Sequence, residues 1–268
     1  MLNRFRTLTS AVLLTLLVLA SGCASSSPVN VTQTDADKLL LDRGNEALKE
    51  KKWTTARQYF SKLLEGYPQS QYRADAKLGV GDSYLGENNS GSYVYAVNEY
   101  REFLAFYPTN PRADYAQYQL GMVHIRQMQG PQRDQTETKE AIHEFQTFVE
   151  RYPNSALLPQ AKERLREAKD RLDDGWLQVG TFYLRIKWFP GAAARFRELL
   201  EMDPEYTRKD ALYFHLAETL EKSEKPAEAL PYYERLVEEY ERSEFLEEAR
   251  RRIDRLKATV PAATVGLK

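Results

Sequence analysis

The chain has 268 residues, 38 basic against 39 acidic side chains and a single cysteine. A net charge of −1 offers nothing to a polyanion, so composition excludes a nucleic-acid binder. One thiol cannot close an internal disulfide, so no cross-link holds the fold.

The first element in chain order is a leader. Arg4 and Arg6 precede an apolar run from Ala11 to Ala20. Ten helical residues reach only about 15 Å, roughly half of a ~30 Å hydrocarbon layer, so this run is too short to span a membrane. Residues 1–22 read as a cleaved secretory signal. Ala20, Ser21 and Gly22 stand directly before Cys23, and this resembles the bacterial lipobox, in which a diacylglycerol is joined to the cysteine before cleavage in front of it. That resemblance makes Cys23 the lipidation site. Acyl chains contribute about 0.8 kcal/mol per buried methylene, so two or more anchor a protein to a membrane without crossing it. Ala24 follows the cysteine, in place of the aspartate that retains many lipoproteins at the inner membrane, and this favours the periplasmic face of the outer membrane. Residues 23–34 are polar and without apolar period, as in a flexible tether. The folded part is expected over 35–258, with a disordered tail at 259–268.

A repeat runs through the rest. The phrases EGYPQS, AFYPTN, ERYPNS and EMDPEY place Pro68, Pro108, Pro153 and Pro204 after segments with apolar residues at i, i+3, i+4 and i+7. Examples are Ala56, Tyr59, Phe60 and Leu63, and Ala192, Phe196 and Leu199. Proline lacks an N–H and restricts the residue before it, so each proline marks a helix stop. A partner helix lies upstream in each unit. Trp176, Val179, Gly180 and Tyr183, followed by Ala192, Phe196 and Pro204, resemble the tetratricopeptide pattern W-x2-L-G-x2-Y…A-x3-F…P. Twelve residues separate Gly180 from Ala192, Gly44 from Ala56 and Ala217 from Ala229. Small residues at both places let two helices approach closely while aromatics fill the gaps.

Two units are longer, with fifteen residues from Gly81 to Ala96 and twenty from Gly121 to Ala141. Their turns, ENNSGS and GPQRDQTET, take the extra length. No break appears between Ala156 and Lys187 despite Gly175, which predicts one unusually long helix. The expected fold is all-α, a tetratricopeptide-repeat superhelix of about five helix pairs, with a charged capping helix from about Ser243 to Lys257.

Catalytic signals are absent. GVGDSYLG, Gly79 to Gly86, has neither G-x-G-x-x-G spacing nor a preceding strand, and the repeat register places Ser83 inside a helix. His124, His143 and His215 are assigned to three different repeats without a second like ligand at i+3 or i+4, so no metal site and no cofactor is expected. The pairs Glu238 with Glu239 and Glu247 with Glu248 read as solvated helix surface. A scaffold fits better than an enzyme, because stacked repeats make an extended concave surface for a peptide or helix. The helix positions that line such a groove in tetratricopeptide proteins fall on Lys38, Leu41, Asn45, Leu48 and Lys49 in the first repeat. In the third they fall on Tyr115, Tyr118, Met122, Ile125 and Arg126. Leu41 and Asp82 interrupt the set that grips acidic tails, and the tyrosines suit an extended peptide with aromatic side chains. The alternative is that they only pack between repeats.

From ADYAQYQLG at Ala113 to Leu200 the chain resembles the BamD family of outer-membrane assembly lipoproteins. The shared features are the enlarged third repeat, the phrase RYPNS, KDRL within a long helix, and the run from Tyr183 through Trp188 to Arg195. The resemblance implies a component of the β-barrel assembly machinery that docks on the barrel protein BamA beside other subunits. It also implies recognition, by the N-terminal repeats, of the C-terminal strand of nascent outer-membrane β-barrel proteins. Carried over by position, Arg195 would contact BamA and Tyr67 would take part in substrate recognition. Tyr115 and Tyr118 are the groove candidates. A lipid-anchored adaptor serving peptidoglycan or protease regulation would share the anchor and groove and lack BamA.

Overall fold

The structure is a computed structural model that describes residues 33–259. The expectations for the signal peptide, for Cys23 and for the tail lie outside the described residues. Within them, apolar positions recurring every three to four residues give eleven helices and no strand. In chain order these are α1 (Gln33–Lys49), α2 (Trp53–Gly66), α3 (Arg73–Glu87), α4 (Ser90–Phe106), α5 (Ala113–Ile125) and α6 (Thr136–Arg151). The series continues with α7 (Leu158–Arg185), α8 (Phe189–Met202), α9 (Lys209–Lys222), α10 (Pro226–Glu239) and α11 (Leu246–Thr259). Consecutive helices form five pairs, α1/α2 to α9/α10, each stacked on the next, and α11 closes the end. This is a tetratricopeptide-repeat superhelix. The first helix begins at Gln33, so it takes in two residues assigned to the tether.

The repeat spacing has a direct packing cause. A Cβ built at Gly180 would lie 2.3 Å from Cε1 of Phe196, and one at Gly44 would lie 2.3 Å from Cε1 of Phe60. Both phenylalanines are fully buried. The ring of the second helix therefore fills the space that a side chain on the first would need.

The twelve-residue interval also fixes the turn. In the first, fourth and fifth pairs the N–H groups of Lys52, Trp188 and Lys225 donate to the carbonyls of Ala47, Tyr183 and Leu220, at 2.8, 2.9 and 3.0 Å. The residues before them, Lys51, Lys187 and Glu224, have φ of 59°, 61° and 61°. These bonds and this left-handed residue make a Schellman turn, built here without glycine. At the far end of each pair Tyr67, Tyr107, Tyr152, Asp203 and Tyr240 donate backbone N–H to the carbonyl four residues back, within 2.8–3.0 Å. Their own carbonyls accept from the residue three further on. The prolines thus stand just past these closing residues.

The predicted long helix is α7, 28 residues from Leu158 to Arg185 with Pro159 in its first turn. Ala161 packs into the cluster of the third pair, around Phe145 and Phe148. Leu177 and Leu184 pack into the cluster of the fourth and fifth pairs. One helix thereby locks two packing units together. At the C-terminal end Arg252 of α11 pairs with Glu221 at 2.9 Å and with Glu248 at 2.8 Å, and lies over the Phe214 ring at 5.6 Å.

A charged cluster ties the middle of α7 to the end of α8. Arg166 reaches Asp203 at 2.5 Å, Asp170 at 2.9 Å and Asp173 at 3.3 Å. Burial, then the hydrogen bond and charge of Asp203, push Asp173 up to about 7. Burial acts on Asp203 in the same upward sense, but its bonds to Arg166 and Asp173 outweigh it and hold it well below the usual range. The folded state therefore keeps a proton on Asp173 that the unfolded chain releases near pH 4. That contribution to stability is complete below pH 4 and is lost as pH rises through 7. The Asp203 contribution has the opposite sign and is lost only in strong acid. Asp173→Asn, whose amide can donate to Asp203 at every pH, should unfold about 1–2 kcal/mol harder than wild type at pH 8. The gap should shrink at pH 5. Thermal melts of both proteins across this range check it, and a gap independent of pH would count against the shared proton.

Candidate functional site

The C-terminal half of α7 carries residues on its surface that a helix packed on one side only would not need. Leu177, Gly180 and Leu184 face the core, and Val179, Phe182 and Ile186 follow at spacings of three and four on the other side, 41, 46 and 54% exposed. Trp188 in the next turn is 51% exposed. Val179 occupies a position where the repeat pattern predicts packing, and the structure instead turns it to solvent.

Opposite this stripe runs the ten-residue linker between α5 and α6. It approaches α7 closely, since a Cβ at Gly175 would lie 3.0 Å from the carbonyl oxygen of Pro131. Between the two lies an open groove of about 800 Å³, lined by Pro131 and Arg133 on the linker and by Gln178, Val179, Phe182 and Arg185 on α7. Arg185 stacks over the Phe182 ring at 5.5 Å. The Gln178 Oε1 atom is buried without a hydrogen-bond partner. A buried acceptor left unmatched costs free energy until a donor reaches it. The groove thus combines an apolar wall with two guanidinium groups, a set suited to an extended peptide with an aromatic side chain and a carboxylate.

The sequence signals for this groove were the glycine at 175 and the long insertion GPQRDQTET. Neither by itself told which side chains they would bring together, because Arg133 on the linker and Gln178 on α7 are more than forty residues apart in sequence.

The residues singled out from the sequence are distributed differently. Arg195, on α8, is half-buried: its guanidinium lies 5.2 Å from the Trp176 ring centre and 2.6 Å from Glu198. It is a positioned side chain with one face open. Tyr67 is half-buried and ends α2 in the closing role described above. Tyr115 donates its hydroxyl to Asp82 at 3.0 Å beneath the Arg112 guanidinium, and burial with the nearby Asp82 charge raises its phenol far above the ordinary value. Tyr118 meets Phe145 edge-on at 5.6 Å. The Tyr115 bond thus links the third pair to the second, whereas the Tyr118 contact packs the two helices of the third pair together. Leu41 is buried in the core cluster of the first pair, around Phe60. Ser83 is fully buried and donates to the Val80 carbonyl at 2.7 Å, a core serine within α3.

The histidines need one correction. His124 on α5 and His143 on α6 belong to the two halves of the same pair, whereas the sequence reading separated them, because the long linker obscured where the third unit ends. His143 is exposed and His124 is buried.

Comparison with known proteins agrees with this architecture. Residues 33–225 match the model of the YfiO family, described as outer membrane lipoproteins, and residues 210–243 match a tetratricopeptide repeat. The chain is 27% identical over 222 residues to the outer membrane protein assembly factor BamD of Caulobacter vibrioides, covering 81% of this chain and 72% of that one. It is 28% identical over 212 residues to BamD of Vibrio cholerae, covering 75% and 85%. Among solved structures, the TPR2AB domain of yeast Sti1 aligns with a TM-score of 0.45 at 14% identity, covering 83% of each chain. The family match spans all but the last helices of the superhelix, including the enlarged third repeat and the long α7, and the chain belongs to the YfiO family of outer membrane lipoproteins.

Proposed function

We propose that this protein is a lipid-anchored scaffold of the outer-membrane β-barrel assembly machinery. Cys23 holds it at the periplasmic face, the surface around Arg195 docks on BamA, and the chain receives C-terminal strands of nascent barrel proteins. It performs no catalysis of its own. The relatives named as assembly factors support the general role.

The observation that carries the peptide-receiving part is the groove beside α7. Its α7 wall presents Val179 and Phe182 to solvent, 41 and 46% exposed, an apolar face for alternate side chains of an extended strand. A C-terminal strand also ends in a carboxylate, which Arg133 or Arg185 on the groove wall can bind. Phe182 supplies a ring against which an aromatic side chain packs. The groove sits where the third and fourth pairs meet, and the resemblance had pointed to the N-terminal repeats.

The test is the affinity of a labelled C-terminal barrel-strand peptide for wild type and Phe182→Ala, read by fluorescence anisotropy. Removing a central aromatic anchor should weaken binding by tenfold or more, about 1.4 kcal/mol at least, with the melting temperature unchanged. An unchanged affinity would move peptide binding elsewhere. Co-purification of peptidoglycan enzymes in place of a barrel protein would favour the adaptor role.

A further inference from the structure

The third helix pair holds a cluster of side chains that neither the packing nor the proposed docking surfaces use. The ligand atoms of His124 on α5 and of Glu140 and Glu144 on α6 lie within 4.8 Å of one another. Glu137, Glu140 and Glu144 stand at spacings of three and four, which puts all three on one face of α6. His124 projects from the last turn of α5 toward that face.

The state of the imidazole is fixed by its neighbours. Its Nδ1 lies 2.7 Å from Glu137 Oε2, and a carboxylate can only accept, so Nδ1 carries the hydrogen. In the neutral ring this leaves the lone pair on Nε2. That Nε2 is buried and has no hydrogen-bond partner, on a side chain only 7% exposed. A carboxylate that orients a histidine through one nitrogen and leaves the other free for a cation is the arrangement of protein metal sites. Glu144 is itself oriented, since Gln117 donates its amide to Oε2 at 2.7 Å. Arg101 stands at 3.5 Å from Oε1 of the same residue, a partner for that oxygen that is half out in solvent. The Glu140 side chain makes no ion pair or hydrogen bond among the described residues.

We propose that His124, Glu140 and Glu144 form a binding site for one divalent transition cation of the Zn2+ type, with Glu137 as the group that orients His124. One imidazole nitrogen and two carboxylate oxygens suit Zn2+ and leave a fourth position for water. Magnesium and calcium, which take oxygen ligands, gain nothing from the nitrogen. The site lies where a clamp has a structural use. Three pairs join their helices by a tight Schellman turn, while α5 and α6 are joined by ten residues and have no such turn. A cation held by the last turn of α5 and the first turns of α6 pins the two helices on either side of the linker that forms one wall of the groove.

The test uses the detergent-solubilised full chain, freed of metal with a chelator and titrated with Zn2+, with Co2+ as a spectroscopic probe and Mg2+ as the hard-cation comparison. The expected result is one equivalent of tightly bound Zn2+, a visible Co2+ absorption band from nitrogen and oxygen ligation, and a melting temperature that rises with Zn2+ and not with Mg2+. Glu140→Gln, half-exposed and therefore compatible with folding, should weaken Zn2+ binding at least tenfold, and His124→Gln should abolish the Co2+ band. Glu137→Gln should weaken binding about tenfold through loss of the oriented ring. His143→Gln, at the exposed histidine of the same helix pair, should leave affinity unchanged. The site is overturned if Zn2+ binds no more tightly than Mg2+, or if His143→Gln lowers affinity as much as His124→Gln.

Discussion

Gly180→Leu should destabilise the protein by about 1–3 kcal/mol, the usual cost of forcing extra methylenes into a filled core. The first added atom already stands 2.3 Å from the Phe196 ring. That ring is fully buried, sits in the cluster shared by the fourth and fifth pairs, and has no open side toward which to swing. Either α7 and α8 move apart or the ring leaves its rotamer, and both break contacts beyond the substituted residue. Urea unfolding followed by helical circular dichroism measures the loss. The decisive version is a double-mutant cycle with the milder Gly180→Ala and with Phe196→Leu. Phe196→Leu alone leaves a cavity and destabilises, whereas in the Gly180→Ala background the new methyl occupies part of that cavity. The two losses should therefore sum to more than the loss of the double variant, by about 1 kcal/mol. Simple additivity would mean that the glycine and the ring do not share the space that the repeat spacing assigns to them.

The second large effect concerns the partner and not the fold. Arg195→Glu should sharply reduce capture of BamA in a pull-down, because truncating one partner of a desolvated charge pair at an interface costs about 2–5 kcal/mol. The structure changes what the control must be. Arg195 stacks on Trp176 and pairs with Glu198, so a glutamate there also loses the stacking and faces a like charge one turn away. A partly exposed pair of this kind contributes below about 1 kcal/mol to folding, so a small fall in melting temperature is expected alongside the large fall in capture. Arg195→Lys separates the possibilities. It keeps the charge and the Glu198 pair while losing the planar fork, so it should still reduce capture if a bidentate contact with a carboxylate is what BamA reads. Capture equal to wild type in the Arg195→Glu protein would remove this residue from the interface.

Much of the fold was legible because its causes are local. Proline after Tyr67, Tyr107 and Tyr152 ends a helix whatever lies around it, and a glycine twelve residues before an alanine specifies a close pair. The Schellman turns were not legible, since Lys51, Lys187 and Glu224 occupy a left-handed conformation where a reader looks for glycine. Packing of the flanking helices overrides their local preference, at a cost of about 1 kcal/mol each.

The candidate site divides along the same line. Arg195 and the tyrosines were found by position in a pattern, and a pattern cannot say whether a ring points at a neighbour or at solvent. Tyr115 and Tyr118 prove to be half-buried packing residues, while Phe182 and Val179 stand open. His124 was set aside because its partners are not at i+3 or i+4 but on the following helix.

The sequence by itself determined the eleven-helix order, the closure of each repeat and the long α7, because proline and the twelve-residue spacing act between neighbouring stretches of chain and need no knowledge of the rest. Tertiary structure alone decided where the groove runs, which oxygen of Gln178 is left unmatched, and that His124 meets Glu140 and Glu144. Those outcomes depend on how a ten-residue linker lies across a helix that begins more than twenty residues later. No local preference fixes that path, and only the packing of the third pair against α7 does.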